Sequence, residues 1–287
     1  MKITIRKIIK AFVPYGIIWL YNKKLLERKL KPRKLLKFEV HLADHCNLNC
    51  KYCDHFSPLA DKKFLDTAVF ERDCKRISEL TNGCIESLLL LGGEPLLHPD
   101  INNIISTSRK YFRNCRIVIY TNGILLLKQS EIFWKSCREN KVVIVISGYP
   151  VSLDNNAIKL KSTDHKVEII FLETVKTMYK MPLDIEGRQD IGNSFKNCLR
   201  SNSCIFLEEG RLYTCTLIPN IKHFNKYFSK NLEVSESDYI DIYSVKNVKE
   251  LLNFLCKPVP FCRYCKTHNR EYGLAWGISE REISEWV

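Results

Sequence analysis

No run of apolar residues in this chain is long enough to cross a bilayer. The longest uncharged stretch of the N-terminal segment, Ala11 to Asn22, is interrupted by Pro14 and Gly16 and falls short of the ~20 residues that a spanning helix needs. A small-residue cleavage site ahead of the basic stretch is also missing, which argues against a secretory leader. There is no internal repeat and no low-complexity tract, so repeat and disordered classes drop out. Acidic residues are scarce at the start: residues 1–40 carry twelve Lys and Arg against Glu27 and Glu39, a net +10 of the chain's +13. The body is therefore nearly neutral, and the overall charge is not a nucleic-acid signature.

At 287 residues and 45% apolar content, the chain can bury a full core as one large domain with a small appendage. Thirteen cysteines is an odd number for a disulfide framework, and a chain of this length does not need such staples. Their clustering at short spacings points to metal ligands in a reducing compartment, hence the cytoplasm. Residues 1–36 form a basic amphipathic segment with two readings. It lies on an anionic surface at the inner face of the membrane, with Phe12, Ile17, Trp19 and Leu20 dipping in, or it packs as a first helix with a solvated basic face.

From residue 37 onward, short apolar runs alternate with amphipathic stretches. The pattern predicts strands over Phe38–Ala43, Ile85–Leu91, Arg116–Tyr120, Val142–Ile146 and Val167–Phe171. It predicts helices near 67–81, 100–112, 129–139 and 153–162. Such alternation implies parallel βαβ units and an α/β fold. After about residue 185 cysteines, turns and a hairpin around Glu209-Gly210 take over. The expected division is thus 1–36, a core over 37–185, and a cysteine-bearing region over 186–287.

The first strand runs into Cys46, Cys50 and Cys53, a C-x3-C-x2-C spacing. Three thiolates on one tight loop can bind three irons of a cubane and leave the fourth open to an outside ligand. Structural zinc wants four ligands, a need that this loop leaves unmet locally. The second strand ends in Gly92-Gly93-Glu94-Pro95. Two glycines let backbone approach a ligand, and the carboxylate can accept from an ammonium group. The third strand ends in Thr121-Asn122-Gly123 and the fourth in Ser147-Gly148-Tyr149-Pro150. Each turn is ordinary alone. Together they occupy the carboxyl ends of consecutive strands, where parallel α/β folds bind their ligands.

The cysteine loop, the aromatic Tyr52 just before its third cysteine, and Gly92-Gly93-Glu94-Pro95 resemble the radical S-adenosylmethionine (SAM) superfamily over roughly residues 37–175. The resemblance implies a partial (β/α)6 TIM-like barrel. It also implies a [4Fe–4S] cluster on Cys46, Cys50 and Cys53, with the amino and carboxylate groups of SAM on the open iron. Tyr52 would lie near the adenine, Gly93 and Glu94 near the methionine amino group, and Thr121 and Ser147 on the rest of SAM. Gly92, Pro95 and Asn122 complete that cofactor-binding set. Reductive cleavage of SAM, fed by an external one-electron reductant such as flavodoxin or ferredoxin, would yield a 5′-deoxyadenosyl radical that abstracts a substrate hydrogen.

Cys198, Cys215, Cys262 and Cys265 are spaced similarly to the auxiliary-cluster region of the SPASM and twitch subgroups. The shorter twitch form is implied, with a second [4Fe–4S] cluster. Size and four-cysteine spread resemble the 2-deoxy-scyllo-inosamine dehydrogenases, and a four-cysteine zinc site is the alternative. Cys204, in an apolar run, is expected as a buried structural thiol; Cys256 also fits the pattern less well. Cys74, Cys84, Cys115 and Cys137 are expected in the core. His55 and Ser57 face substrate or anchor the loop, and His98 serves its turn. Arg188 and Asp190 are weak candidates for substrate binding. Trp276, Trp286 and a helix bearing Glu280 and Glu285 are expected to close the core.

These readings converge on oxidation of a small polar alcohol, sugar- or aminocyclitol-like, in surface-glycan or secondary metabolism. One alternative is a peptide-modifying radical enzyme, for whose recognition domain and second auxiliary cluster the chain has no room. Another is a radical epimerase with Cys204 or Cys256 as hydrogen donor. The third is a non-catalytic metal-binding protein that uses its basic arm.

Overall fold

The computed structural model describes residues 35, 37–175 and 177–287. Apart from Leu35, the basic segment 1–36 and its membrane-surface reading lie outside the described residues. Five strands, β1 (Lys37–Ala43), β2 (Ser87–Gly92), β3 (Arg116–Thr121), β4 (Val143–Ile146) and β5 (Glu168–Phe171), alternate with four helices. These are α1 (Thr67–Thr81), α2 (Ile101–Tyr111), α3 (Glu131–Glu139) and α4 (Asn155–His165). Neighbouring strands pair in parallel in the order β5-β4-β3-β2-β1. The central strands β2, β3 and β4 are near-continuous apolar runs because both faces are covered. Ile117, Ile119 and Ile144 pack in the main core with residues of the helices, while Leu89, Val118, Val143 and Val145 cluster on the opposite face. Three of the four helices begin at side-chain caps, with Asp66 accepting from Ala68 N and Val69 N, and Ser130 and Asp154 capping α3 and α4.

Beyond β1 the sheet continues through β7 (Phe206–Glu208), β8 (Arg211–Tyr213) and β9 (Tyr239–Asp241). β7 meets β1 in parallel at Glu39↔Phe206 and takes the sixth place in the sheet, whereas β7-β8-β9 is antiparallel. The expected hairpin is present: Glu209 and Gly210 both have positive φ, 49° and 79°, as a two-residue type I′ turn requires. The eight strands form an open sheet, a partial TIM-like barrel. The strand after β5, β6 (Thr177–Lys180), leaves this sheet and pairs antiparallel with β10 (Glu271–Ala275). Three helices, α5 (Ile191–Asn197), α6 (Leu217–Phe228) and α7 (Val248–Leu255), complete the chain. A second core gathers Phe56, Phe206, Ile221, Phe224, Phe261 and Trp286. The proposed boundary near residue 185 falls between β6 and α5, and both sheets run across it. Among the described residues no helix is long and apolar enough to cross a membrane.

Candidate active site at the strand ends

The loop after β1 is wound tightly. Asn49, Tyr52 and Phe56 are all left-handed, with φ of 51°, 61° and 52°, a conformation that L side chains adopt at a cost. The winding is held by contacts such as Phe56 N donating to Cys53 O at 3.0 Å. It sets Cys46, Cys50 and Cys53 on the wall of a cavity of about 330 Å³, the size range of small-molecule sites. The other walls come from the carboxyl end of β2 (Leu91, Gly92, Gly93), the end of β3 (Tyr120, Thr121, Asn122), Ser147 and Tyr149 after β4, and Met178 and Tyr179 of β6.

Of the residues expected around SAM, Tyr52, Gly92, Gly93, Thr121, Asn122 and Ser147 line this cavity. Glu94 and Pro95 lie just outside this lining. Glu94 is fully buried, and its carboxylate accepts from Thr121 Oγ1 (2.7 Å), Asn122 N (3.0 Å) and Leu96 N (3.0 Å). Burial pushes its carboxyl up to about 7 in spite of those three donors. Glu94 therefore braces the turn after β3 against the turn after β2. The two glycines also answer to backbone. A Cβ on Gly92 would stand 2.4 Å from Ala43 O, and one on Gly93 2.2 Å from His45 O. The close crossing over residues 43–45, where Gly93 N donates to Ala43 O at 2.8 Å, is what excludes a side chain there.

Burial pushes the thiols of Cys50 and Cys53 up, to about 12 and about 11, so iron must displace their protons on binding. Donors already point at the sulfurs: Leu48 N lies 3.4 Å from Cys46 Sγ, and Trp276 Nε1 lies 3.3 Å from Cys50 Sγ. Among the described residues no three His, Cys, Asp or Glu side chains converge as a single metal ion requires. A cubane asks instead for one thiolate per iron. Three thiols on one wall, with the cavity beside them, fit that group.

Cys198, Cys215, Cys262 and Cys265 form a second group. Burial and mutual proximity push Cys215 and Cys265 up. They meet where α5 ends, α6 begins and a 3-10 turn spans Pro260–Tyr264, against the second core. Cys204 lies apart, beside Glu39, and Cys256 Sγ bonds Leu252 O at the end of α7. Cys204 is half-buried rather than buried. Cys74, Cys115 and Cys137 are core residues as expected, but Cys84 is exposed, because the left-handed turn at Asn82 and Gly83 carries it outward.

Both His55 and Ser57 line the cavity, and His55 Nδ1 stands 3.1 Å from Gly92 O. His98 serves its turn, with Nε2 at 2.9 Å from Leu65 O and Nδ1 accepting from Asp100 N at 3.0 Å. Arg188 and Asp190 are not among the residues lining the cavity; Asp190 caps α5 through Asn193 N. Trp286 is buried in the second core, but Trp276 sits on the cysteine loop instead. The helix expected around Glu280 and Glu285 is a single turn, Ile283–Glu285, with buried Glu285 accepting from Ser279 Oγ and Glu280 N. Sequence reading missed Asp54, Tyr120, Met178 and Tyr179 as lining residues. Asp54 accepts from buried Arg200 (Nε at 2.9 Å) and from Tyr179 Oη at 3.3 Å; its place next to Cys53 was the available signal.

A parallel α/β framework with a three-cysteine loop and small polar turns at its strand ends suits one class, an iron–sulfur protein with a small-molecule ligand beside its cluster. Residues 40–146 match the Radical SAM superfamily, and the chain carries a radical SAM domain. Over 251 residues it is 24% identical to the GTP 3′,8-cyclase of Clostridium botulinum (strain Okra / Type B1), covering 83% of this chain and 78% of that one. Among solved structures it is similar to BtrN in complex with AdoMet and 2-DOIA, with a TM-score of 0.52 and 16% identity over 81% of this chain and 93% of the other. It is also similar to native anSMEcpe with bound AdoMet, with a TM-score of 0.51 and 16% identity over 81% and 90%. These structural likenesses are of fold. The domain makes the chain a radical SAM enzyme whose cofactors are a [4Fe–4S] cluster and SAM.

Proposed function

We propose that this enzyme oxidises a small polar alcohol, sugar- or aminocyclitol-like. In this reading Cys46, Cys50 and Cys53 hold the SAM cluster, and Cys198, Cys215, Cys262 and Cys265 hold an auxiliary [4Fe–4S] cluster. The observation that carries it is the presence of two separate thiol groups joined by one half-buried ion pair. Asp54 follows Cys53, Arg200 stands two residues after Cys198, and the two side chains bond each other. When bound, the two clusters and SAM supply a 5′-deoxyadenosyl radical, fed by an external one-electron reductant, and an acceptor for the electron left on the substrate. Loss of a carbinol hydrogen atom, a hydroxyl proton and that electron turns an alcohol into a carbonyl.

The chain's own residues bind and enclose the substrate. Tyr120, Tyr149 and Tyr179, His55 and Asp54 line the cavity, a set that pairs with hydroxyl and amine groups. A triphosphate, as in the substrate of the cyclase relatives, calls for Arg or Lys, and Arg200 already serves Asp54. BtrN, whose structure holds 2-DOIA, shares the fold. Cys204 and Cys256 lie outside the cavity lining, which weighs against their returning a hydrogen to the substrate in an epimerase. A role in surface-glycan metabolism, with the basic segment on a membrane, belongs to the same proposal.

Iron, sulfide and EPR measurements on anaerobically reconstituted protein test the ligand sets. About eight irons are expected in wild type and about four in the Cys46→Ala/Cys50→Ala/Cys53→Ala variant, with SAM cleavage lost in the variant. About four irons in wild type, with zinc in the variant, would make the second site structural. Formation of 5′-deoxyadenosine is then compared with aminocyclitols, sugars and GTP. Turnover of GTP with no oxidation of any alcohol would overturn the dehydrogenase reading.

A further inference from the structure

After β10 the chain runs antiparallel along the cysteine loop. Lys51 N donates to Gly277 O and Ser279 N donates to Asn49 O, both at 2.8 Å, around a bridge between Cys50 and Ile278. Lys51 Nζ pairs with Glu280 Oε1 at 2.7 Å. The strap is anchored beyond this contact. Trp286 Nε1 donates to Cys53 O at 3.0 Å, and Leu183 N donates to Trp286 O at 2.7 Å. Before it, β10 is paired with β6, whose Met178 and Tyr179 line the cavity. Residues 276–280 are thus held at both ends against the middle of the loop.

Within this strap the half-buried Trp276 directs its indole N–H at Cys50 Sγ, 3.3 Å away. An indole N–H that leaves water needs a partner. A thiol sulfur is a weak acceptor, but an ionised sulfur accepts about twice as strongly as a neutral group. The bond therefore gains most when Cys50 is an iron-bound thiolate, and more again when an added electron makes the cluster more negative. Hydrogen bonds to sulfur and solvent exposure are the levers by which a protein sets the potential of an iron–sulfur cluster.

We propose that Trp276 is a positioning residue that raises the reduction potential of the SAM cluster through its N–H on Cys50. The inference rests on the reading of Cys46, Cys50 and Cys53 as that cluster's ligands. Trp276 acts on the cluster through Cys50 and lies outside the cavity lining.

The test is a redox titration of reconstituted full-length protein, following the EPR signal that responds to added SAM, in wild type, Trp276→Phe and Trp276→His. Phe keeps an apolar ring and loses the donor; His restores a donor. With iron content unchanged, the Phe variant is expected to titrate at more negative potential. At a fixed reductant potential its reduced-to-oxidised ratio falls about tenfold, a shift of ~59 mV for one electron, and the His variant lies between Phe and wild type. A Phe midpoint equal to wild type overturns the proposal. So does an equal fall in Phe and His, or loss of cluster iron from both, since lost packing would then be the cause. Absence of any SAM-responsive signal in wild type would overturn the ligand assignment itself, and this inference with it.

Discussion

Glu94 shows how one residue can satisfy two different readings of the same motif. A glutamate after two glycines at the end of a parallel strand can face a ligand or a neighbouring turn, and both uses select the same residue types. Here it turns inward, wholly buried, and holds Thr121 Oγ1, Asn122 N and Leu96 N. Through them it reaches the site, since Thr121 and Asn122 line the cavity and Glu94 lies behind them. Glu94→Ala strands three buried donors, and unmet groups of this kind cost ~1–3 kcal/mol each before relaxation. We expect the variant to lose about 3 kcal/mol in urea denaturation. A loss of SAM binding with stability unchanged would instead return Glu94 to the cofactor. The cysteines were more legible than Glu94, because their spacing along a single loop constrains what they can bind together.

Elements were read well where a cap and a period agreed. The helix predicted over 67–81 is α1, begun by Asp66 and ended by left-handed Asn82. Where cues were weaker the bounds moved. α3 starts only after its cap Ser130, behind a short 3-10 turn at Leu126–Lys128, and α4 runs on to His165. β6 and β10 were not foreseen, because their residues are largely exposed or half-buried and carry no apolar alternation to read. Nor did helical periodicity reveal the use of Asp73. This buried aspartate on α1 accepts from Gly210 N and Tyr243 Oη, both at 2.6 Å, and so ties the β7–β8 turn to the helix. Asp73→Ala leaves the Gly210 N–H buried without an acceptor. A loss of about 2 kcal/mol is expected, seen as a lower urea midpoint and as faster amide exchange across residues 206–213. Unchanged exchange in that hairpin would show that the tie does not hold it.

At the scale of the whole molecule, the ion pair between Asp54 and Arg200 joins the part that carries the first cysteine group to the part that carries the second. Arg200 is 5% exposed, and it also reaches Tyr179 Oη and Met181 Sδ. Asp54 is 26% exposed on the cavity wall, so removing Arg200 costs less than the ~3–5 kcal/mol of a fully buried pair, about 2 kcal/mol with its hydrogen bonds counted. Arg200→Ala should therefore be destabilising, and Asp54→Ala added to it should cost little more, because the partner has already gone. Urea midpoints of the four proteins of this cycle decide the matter; additive losses would mean that the two residues act separately.

The α/β class, the parallel alternation, the three-cysteine loop and the turn residues at the strand ends were determined by the sequence alone. Each is a property of spacing within a few residues, or of a period of two or 3.6, so it can be read without knowing what lies across the fold. Tertiary structure alone decided which polar groups face the cavity and which brace it, that β6 leaves the parallel sheet for β10, and that Trp276 meets Cys50 from 226 residues away. Those contacts arise from packing between distant segments, and no local pattern in the chain encodes them.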